Sequence, residues 1–209
     1  MPPPPTLKIA EIFASIQGEG LRQGEPTIFV RLAGCDLRCS FCDTKYAWTG
    51  GKVLTVSRIL NKVRALRERF PAAWVCLTGG EPLLQDIGSL VNGLKKDGLK
   101  VQIETNGRND RPLAPDWLTI SPKPPGYDYQ PRFKKQAREI KLIVSKNLTF
   151  ETVKRIRRKF PGTVPLLLQP ESNEPWSRAK GRRLLGKAVR GGLKNVRFSL
   201  QLHKILGLR

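Results

Sequence analysis

A short cysteine-rich segment constrains this chain more than any other part of its sequence. Cys35, Cys39 and Cys42 lie within one stretch, with three residues between the first pair and two between the second. This spacing lets a single loop bring three thiolates to one metal centre. A four-iron cluster that is bound only by cysteines uses four of them, so three cysteines are one ligand fewer. The spacing therefore favours a four-iron cluster that keeps one iron for a ligand from outside the protein.

Two other interpretations of these cysteines are a zinc site and a disulfide with a spare thiol. Structural zinc takes four ligands, and His203, the one histidine, is far away in sequence. Thiolates that are kept for a metal fit a reducing compartment, so we expect a cytoplasmic protein. The fourth cysteine, Cys76, lies in an apolar run and is predicted to be a small core residue.

The chain length of 209 residues suits one domain, and we predict a single domain over 1–209. The opening run of prolines predicts a disordered, extended tail at 1–6. No apolar run reaches the length of a membrane helix, and the start of the chain lacks a signal-peptide pattern, so we expect no membrane segment.

The net charge of +21 is the unusual feature of the composition. Such a charge is compatible with nucleic-acid contact or with attraction of anionic substrates. Val153, Ile156 and Phe160 have the spacing of one buried helix stripe, which leaves the intervening basic residues for the surface. Those basic residues are Lys154, Arg155, Arg157, Arg158 and Lys159. Because no aromatic residues alternate with them for base stacking, the pattern favours a solvated basic surface over nucleic-acid binding.

Hydrophobic periodicity predicts strands that alternate with helices. The predicted strands are 9–16, 27–32, 74–77, 100–103, 117–120, 139–144, 164–168 and 196–199. The predicted helices are 57–70, 83–97, 149–160 and 176–190. This alternation indicates an α/β fold with a mostly parallel sheet. The chain is short for an eight-stranded barrel of about 250 residues, so a partial (β/α)6-type barrel fits better.

Polar and glycine-rich segments follow several of the predicted strands. They are the cysteine loop, Thr78-Gly79, 104–106, 121–123 and Gln169. In parallel α/β folds the carboxyl ends of the strands carry the active site. We therefore expect these segments to form the site.

The segment Thr78-Gly79-Gly80-Glu81-Pro82 resembles the GGEP segment of radical S-adenosylmethionine (SAM) enzymes, and the cysteine spacing resembles their cluster motif. The resemblance implies that Cys35, Cys39 and Cys42 hold a [4Fe-4S] cluster whose open iron chelates SAM. It also implies the partial barrel that this superfamily shares.

A narrower resemblance covers nearly the whole chain. The segments that carry it are 11–20, 29–31, Cys42-Asp43-Thr44, Ser121-Pro122-Lys123 and 201–204, and they are similar to the 7-carboxy-7-deazaguanine synthases, the QueE family. These enzymes are radical SAM lyases that convert 6-carboxy-5,6,7,8-tetrahydropterin to 7-carboxy-7-deazaguanine with loss of ammonia, in queuosine and other 7-deazapurine pathways. The segment 169–173 is only loosely similar, and the basic charge is not typical of the family.

The resemblance implies a role for each site residue in turn. It implies no catalytic acid or base. The implied SAM contacts are Gly79, Gly80, Glu81, Asn106, Ser121, Lys123, Gln169 and Asn173. The implied substrate contacts are Gln17, Glu19, Arg31, Thr78, His203 and Arg209, and Thr44 is the implied Mg²⁺ ligand. The chemistry agrees, because an arginine fork suits a substrate carboxylate and Mg²⁺ prefers a few oxygen ligands. A tail at 200–209 is expected to cover the site.

Four of these residues also have simpler roles to weigh, which begin with a salt bridge between Glu19 and Arg31 and a turn cap at Thr44. His203 would otherwise be exposed near a frayed terminus. Family resemblance implies a homodimer and a flavodoxin-like electron donor as partners. Alternative functions are an activase that generates a glycyl radical on a partner protein, and a basic module that binds or modifies RNA.

Overall fold

Residues 3–208 are described by a computed structural model of the chain, and Met1, Pro2 and Arg209 lie outside this range. The described residues form two units. The first unit contains 3–16, 25–105 and 109–117, and the second contains 17–24, 106–108 and 118–208.

The first unit is built on five strands in the order β3-β1-β2-β4-β5. These are β1 (Thr6–Ile16), β2 (Pro26–Leu32), β3 (Lys52–Thr55), β4 (Trp74–Gly79) and β5 (Lys100–Thr105). Strand β1 is antiparallel to β2 and β3, whereas β2, β4 and β5 are parallel. The carboxyl ends of β2 and β4 therefore lie at the same edge of the sheet, which places the cysteine loop beside the GGEP segment.

Two helices cover this sheet, α1 (Val56–Arg69) and α2 (Gly88–Lys96). The Thr55 side chain caps α1 by accepting a hydrogen bond from the Arg58 amide. Helix α2 begins five residues later than the sequence predicts. The cause is Gln85, whose extended backbone interrupts the helix and whose side chain donates to the carbonyl oxygens of Lys8 and Ala33.

The second unit is built on the parallel strands β6 (Trp117–Ile120), β7 (Glu139–Val144), β8 (Leu166–Pro170) and β9 (Val196–Phe198). Its helices are α3 (Phe133–Gln136), α4 (Phe150–Lys159), α5 (Pro175–Arg190) and α6 (Leu202–Ile205). Strand residues alternate between two faces. In β7, Ile140 and Leu142 are fully buried on one face, while Glu139 and Lys141 are buried on the other. The second face of this strand therefore carries two buried charged side chains.

The predicted α/β class with mostly parallel strands is confirmed. Strands β6 and β7 have the predicted bounds, and the other predicted strands differ only at their ends. Sequence analysis missed β3, α3 and α6, which are four residues each. Segments this short contain too few residues to show a hydrophobic period.

One prediction about the basic residues of α4 is wrong. Arg157 is buried rather than on the surface, and its guanidinium donates to the carbonyl oxygens of Phe160, Pro161 and Val164. These carbonyls follow the end of the helix and lack helical partners, so a buried cation is satisfied there. Burial lowers the pKa of Arg157 from its ordinary value.

The disordered tail predicted for 1–6 overlaps with residues that belong to the fold. Thr6 is already part of β1, and the Pro5 carbonyl oxygen accepts a hydrogen bond of 2.9 Å from the Val56 amide. Within residues 3–208, no helix has both the length and the apolar character that crossing a membrane requires.

Candidate active site

The cysteine loop leaves the carboxyl end of β2 and is closed at its base by one hydrogen bond. The Gly34 amide donates to the Ala47 carbonyl oxygen over 2.8 Å. Inside the loop, the Cys42 amide donates to the Cys39 carbonyl oxygen, and the Thr44 amide donates to the Cys42 sulfur over 3.4 Å. Backbone donors to a cysteine sulfur stabilise the thiolate form that binds iron.

The three loop cysteines are partly exposed, whereas Cys76 is buried. In the described part of the chain, no three histidine, cysteine, aspartate or glutamate side chains converge tightly enough to hold one metal ion. A four-iron cluster does not require such convergence, because each cysteine binds a different iron.

The GGEP segment is hydrogen-bonded directly to the base of the cysteine loop. The Glu81 amide donates to the Gly34 carbonyl oxygen over 2.7 Å, and the Gly80 amide donates to the Leu32 carbonyl oxygen over 3.1 Å. A Cβ at Gly80 would overlap with the carbonyl oxygens of Gly34 and Ala47. Glycine is required here because the two backbones touch.

Glu81 itself is buried, and its carboxylate is engaged within the first unit. Its Oε1 accepts hydrogen bonds from the Leu83 amide over 2.9 Å and from the Thr105 hydroxyl over 2.7 Å. These bonds fix the turn that follows Gly80. The side chain thus has a clear structural role at the position where the resemblance implies a SAM contact.

Arg31, at the end of β2, is held by a carboxylate that sequence analysis did not single out. Its Nε donates to Glu11 Oε1 over 2.7 Å, and the Tyr46 hydroxyl donates to the same oxygen over 2.6 Å. Burial acts to lower the pKa of Arg31, but the Glu11 hydrogen bond and the electrostatic effects of Tyr46, Glu11 and Cys76 together outweigh it and raise that pKa. Thr78 is the register partner of Arg31 on β4.

An apolar cluster lies beside Arg31 on the same face of the first unit. The rings of Phe13 and Phe29 stack with centroids 5.0 Å apart, and Cys76 completes the cluster. The Arg31 guanidinium lies 5.8 Å from the centre of the Phe13 ring. The prediction that Cys76 is a core residue is confirmed.

In the second unit, Glu19 lies between a cation and an amide. Lys141 Nζ forms an ion pair with Glu19 Oε2, and Gln201 Nε2 donates to Glu19 Oε1 over 2.7 Å. The buried Gln17 side chain accepts a hydrogen bond of 3.1 Å from the Glu19 amide. Lys141 and Gln201 were not predicted as site residues, although a lysine in a buried strand is itself a signal of a paired charge.

The loop that carries Gln17 and Glu19 is anchored by a second buried carboxylate. Glu139 Oε2 accepts a hydrogen bond of 2.7 Å from the Leu21 amide, and Glu139 Oε1 accepts one of 2.8 Å from the Thr119 hydroxyl. Gly20 has a φ of 75°, and a Cβ there would overlap with the Glu139 carboxylate. Glycine is therefore needed at position 20 both for the positive φ of the turn and for the close approach of the Glu139 carboxylate.

The chain end packs on the same loop. The Leu202 amide donates to the Gly18 carbonyl oxygen over 2.8 Å, and the Gln23 side chain bridges the carbonyl oxygens of Gly18 and Leu200. A Cβ at Gly18 would overlap with the His203 imidazole. His203 is thus half-buried against this loop rather than fully exposed, while Arg209 lies outside the described residues.

The remaining predicted SAM contacts follow strands β5, β6 and β8. Asn106 accepts a hydrogen bond from the Arg108 amide, and Ser121 donates to the Lys141 carbonyl oxygen. The Lys123 ammonium donates to the Ser121 carbonyl oxygen over 2.7 Å. Asn173 exchanges two hydrogen bonds with the Gln201 backbone. Each of these side chains is therefore held by at least one hydrogen bond within the second unit.

Gln169 differs from these residues. It lies near the end of β8 and is only 1% exposed, yet its Oε1 has no hydrogen-bond partner among residues 3–208. A buried amide oxygen without a partner is costly, so this atom is suited to a ligand that brings a donor.

One basic surface lies on a helix face that contains none of these residues. Helix α5 has no acidic residue along its length. A shallow hollow of about 450 Å³ on it is lined by Ala179, Arg182, Arg183, Gly186, Lys187 and Arg190. Its apolar residues Leu184 and Ala188 are buried, whereas Trp176 and Val189 are exposed. The cations thus occupy the solvated side of an amphipathic helix, as expected.

Comparison with known proteins identifies the family. The model of the radical SAM superfamily matches residues 29–177, which include the cysteine loop and the GGEP segment. A 7-carboxy-7-deazaguanine synthase from Synechocystis sp. is 35% identical over 204 residues, which cover 96% of this chain and 93% of that protein. This chain belongs to the 7-carboxy-7-deazaguanine synthase family of radical SAM enzymes.

Two further comparisons agree with this assignment. The synthase of Hyperthermus butylicus is 48% identical over 126 residues, an alignment that spans 56% of this chain and 52% of that protein. The crystal structure of QueE from Escherichia coli has a TM-score of 0.79 and 28% identity, and the match covers 95% of both chains. As a radical SAM enzyme, this synthase family member uses a four-iron cluster and SAM.

Proposed function

We propose that this synthase converts 6-carboxy-5,6,7,8-tetrahydropterin to 7-carboxy-7-deazaguanine with loss of ammonia, for 7-deazapurine or queuosine biosynthesis. The observation that carries this proposal is the similarity to a curated synthase along nearly the full length of both chains. A relative that shared only the radical SAM core would support the cofactors but not the substrate.

For the cofactors, we assign Cys35, Cys39 and Cys42 to the cluster. Gly79 and Gly80 would present their backbone to SAM, and Gln169 would contribute its unpartnered buried oxygen. The direct hydrogen bond between Glu81 and Gly34 supports this assignment, because it fixes the SAM segment to the cluster loop. When bound, the cluster and SAM supply radical chemistry that abstracts a hydrogen atom, while the protein orients the reactants and excludes water.

The other predicted SAM contacts are Asn106, Ser121, Lys123 and Asn173. They are polar groups at the ends of neighbouring strands or in the turn after β8. Asn173 and the preceding Ser172 both have left-handed backbone conformations, with φ of 58° and 48°. Such strain in two consecutive residues is typical of binding segments, which supports a role for this turn.

For the substrate, we assign Arg31 to the pterin carboxylate. Only its Nε is hydrogen-bonded within the described residues, so both terminal nitrogens remain for a two-point contact with a carboxylate. Glu11 fixes the guanidinium plane, and Thr78 lies beside Arg31 in register. Gln17, Glu19 and His203 would contact the ring, with Arg209 at the end of the covering tail.

We further propose Thr44 as the Mg²⁺ ligand, because its hydroxyl follows the cluster loop and lies 2.9 Å from Asp43 Oδ1. A site with one threonine oxygen, substrate oxygens and water suits this ion. A cytoplasmic location, a homodimer and a flavodoxin-like electron donor belong to the same proposal and rest on family resemblance.

The two alternative functions are less well supported. Glycyl-radical activases share the cysteine spacing, but the full-length relatives are synthases. An RNA-binding module would need the basic face of α5 to act in recognition, and no aromatic residue lines the basic hollow on it.

Anaerobic turnover tests the proposed function. Reconstituted protein is incubated with the carboxypterin, SAM and a reductant, and the product is identified by mass spectrometry. We expect the mass of 7-carboxy-7-deazaguanine and release of ammonia without any protein partner. Cleavage of SAM without this product would exclude the proposed substrate.

A further inference from the structure

The segment 200–208, which we call the end strap, is bonded to two loops of the second unit. The Leu202 amide donates a hydrogen bond of 2.8 Å to the carbonyl oxygen of Gly18, in the loop that contains proposed substrate contacts. Gln201 is bonded to the turn at 171–173, which follows β8 and the proposed SAM contact at its end. One short segment therefore joins the two parts of the proposed site.

Hydrogen bonds, rather than apolar burial, determine where the end strap lies. Gln201 is the only buried residue among 200–208, and Ile205, Leu206 and Leu208 are 57%, 55% and 46% exposed. A segment that buries so little apolar surface gains little stability from packing. Its position therefore depends on the polar contacts of Gln201 and the residues next to it.

The Asn173 side chain holds Gln201 at two points. Its Oδ1 accepts a hydrogen bond of 3.0 Å from the Gln201 amide, and its Nδ2 donates to the Gln201 carbonyl oxygen over 2.9 Å. Because one planar amide binds both backbone groups of one residue, the strap cannot shift along the turn without breaking both bonds. The Lys204 ammonium adds a bond of 3.1 Å to the Ser172 hydroxyl. The order of the strap is thus tied to the order of the turn.

The turn adopts this geometry at a conformational cost. Ser172 and Asn173 have left-handed φ values of 48° and 58°, a region that asparagine enters more readily than most residues. Such a turn persists only where its surroundings hold it. Gln169, just before the turn, has the buried oxygen that is suited to a donor from a ligand. A ligand bound there fixes the strand end from which the turn begins.

We propose that Asn173 is a positioning residue that ties the end strap to the SAM side of the site, so that SAM and the pterin bind with positive coupling. The inference rests on the proposed function and deepens it. Ordering of the turn by SAM lets Asn173 hold Gln201, and the strap is then in place for the pterin. The second ligand binds more tightly because the segment that covers it is already ordered. The backbone of the turn, rather than the Asn173 amide, faces SAM.

Anaerobic calorimetry on cluster-loaded protein tests the coupling, without a reductant so that SAM is not cleaved. The Kd for the carboxypterin is measured with and without SAM, and SAM should lower it by at least about fivefold in the wild type. Asn173→Gly removes the amide but keeps a residue that readily adopts a positive φ. This variant should lose most of the coupling, while its affinity for SAM changes little.

Asn195→Gly is the matched control. Asn195 lies before β9 and also has a left-handed backbone, with a φ of 55°. Its amide also donates to backbone carbonyl oxygens, those of Gly162 and Thr163. The control should keep the full coupling. If Asn173→Gly instead weakens SAM binding and keeps the coupling, Asn173 is a SAM contact and the positioning role is wrong.

Hydrogen exchange tests the tie without the substrate. SAM alone should slow exchange of the amides of 200–208 in the wild type and in Asn195→Gly, but not in Asn173→Gly. Equal protection in Asn173→Gly and the wild type would overturn the proposal. If the carboxypterin binds neither with nor without SAM, the proposed substrate is wrong, whereas the exchange result still decides the role of Asn173.

Discussion

The Glu81 amide donates a hydrogen bond of 2.7 Å to the carbonyl oxygen of Gly34. This bond joins the GGEP segment to the first residue of the cysteine loop, although the two lie on different strand ends. It also explains the glycine at position 80, which lies where the two backbones are in contact. The geometry of the cluster loop therefore depends on the segment after β4.

Gly80→Ala tests this dependence. The added Cβ would overlap with backbone carbonyls of Gly34 and Ala47, which cannot move as a flexible side chain would. We expect lower iron content after reconstitution and a loss of at least several-fold in SAM cleavage. Gly162→Ala is the control, because a Cβ there meets nothing within 4 Å. Equal iron content in the two variants would contradict the role of this contact.

Replacing Cys35, Cys39 or Cys42 by Ala should abolish both the cluster absorbance and SAM cleavage. Cys76→Ala should keep both, because this residue is buried against Phe13 and Phe29 away from the loop. Its cost should be a stability loss of about 1 kcal/mol from the small cavity. Iron analysis and thermal unfolding of the four variants measure these outcomes, and a Cys76 variant without iron would refute the assignment.

Thr44→Val keeps the shape of the side chain and removes its oxygen. If Thr44 binds Mg²⁺, the variant should show little stimulation of turnover by Mg²⁺ while its cluster spectrum stays normal. Thr44→Ser keeps the hydroxyl and should behave like the wild type. Turnover measured across a Mg²⁺ titration distinguishes these cases, and unchanged stimulation in Thr44→Val would leave Thr44 as a turn residue.

Glu11→Gln should weaken substrate binding without affecting the cluster. The variant removes the charge that fixes the Arg31 guanidinium, so we expect KM for the carboxypterin to rise by about tenfold. SAM cleavage without substrate should not change. The control is Asp97→Asn, which breaks the exposed ion pair with Arg64 and should leave KM unaltered. A KM equal to that of the wild type would argue against Arg31 as the carboxylate contact.

The chain end should contribute to substrate binding. Removing residues 203–209 should spare the cluster and SAM binding but raise KM strongly or stop turnover. His203→Ala should show a milder defect of the same kind.

Gly18→Ala provides a second test of the same contact, because its Cβ would overlap with the His203 imidazole. If that displacement causes the defect, the double variant with His203→Gly should be no worse than His203→Gly alone, because glycine removes the His203 Cβ that would also overlap. A truncated enzyme with normal kinetics would exclude the tail from the site.

Local sequence patterns predicted most of the fold and part of the site. Strand β7 was predicted with its observed bounds, because alternate apolar residues and the following polar turn are signals within a few residues. The helix predicted at 83–97 was too long, because Gln85 bonds to the distant residues Lys8 and Ala33. Local propensity cannot include such a contact.

The sequence by itself determined the use of a four-iron cluster and SAM and the family, because cysteine spacing and the GGEP segment are local patterns. Only the tertiary structure decided which charges pair. Arg31 pairs with Glu11, 20 positions away, and Glu19 pairs with Lys141, 122 positions away. These partners depend on strand register and on where the loop after β1 crosses β7. A pattern of residue types along the chain shows neither the register nor the position of this loop, because buried charges are paired only when the sheet forms.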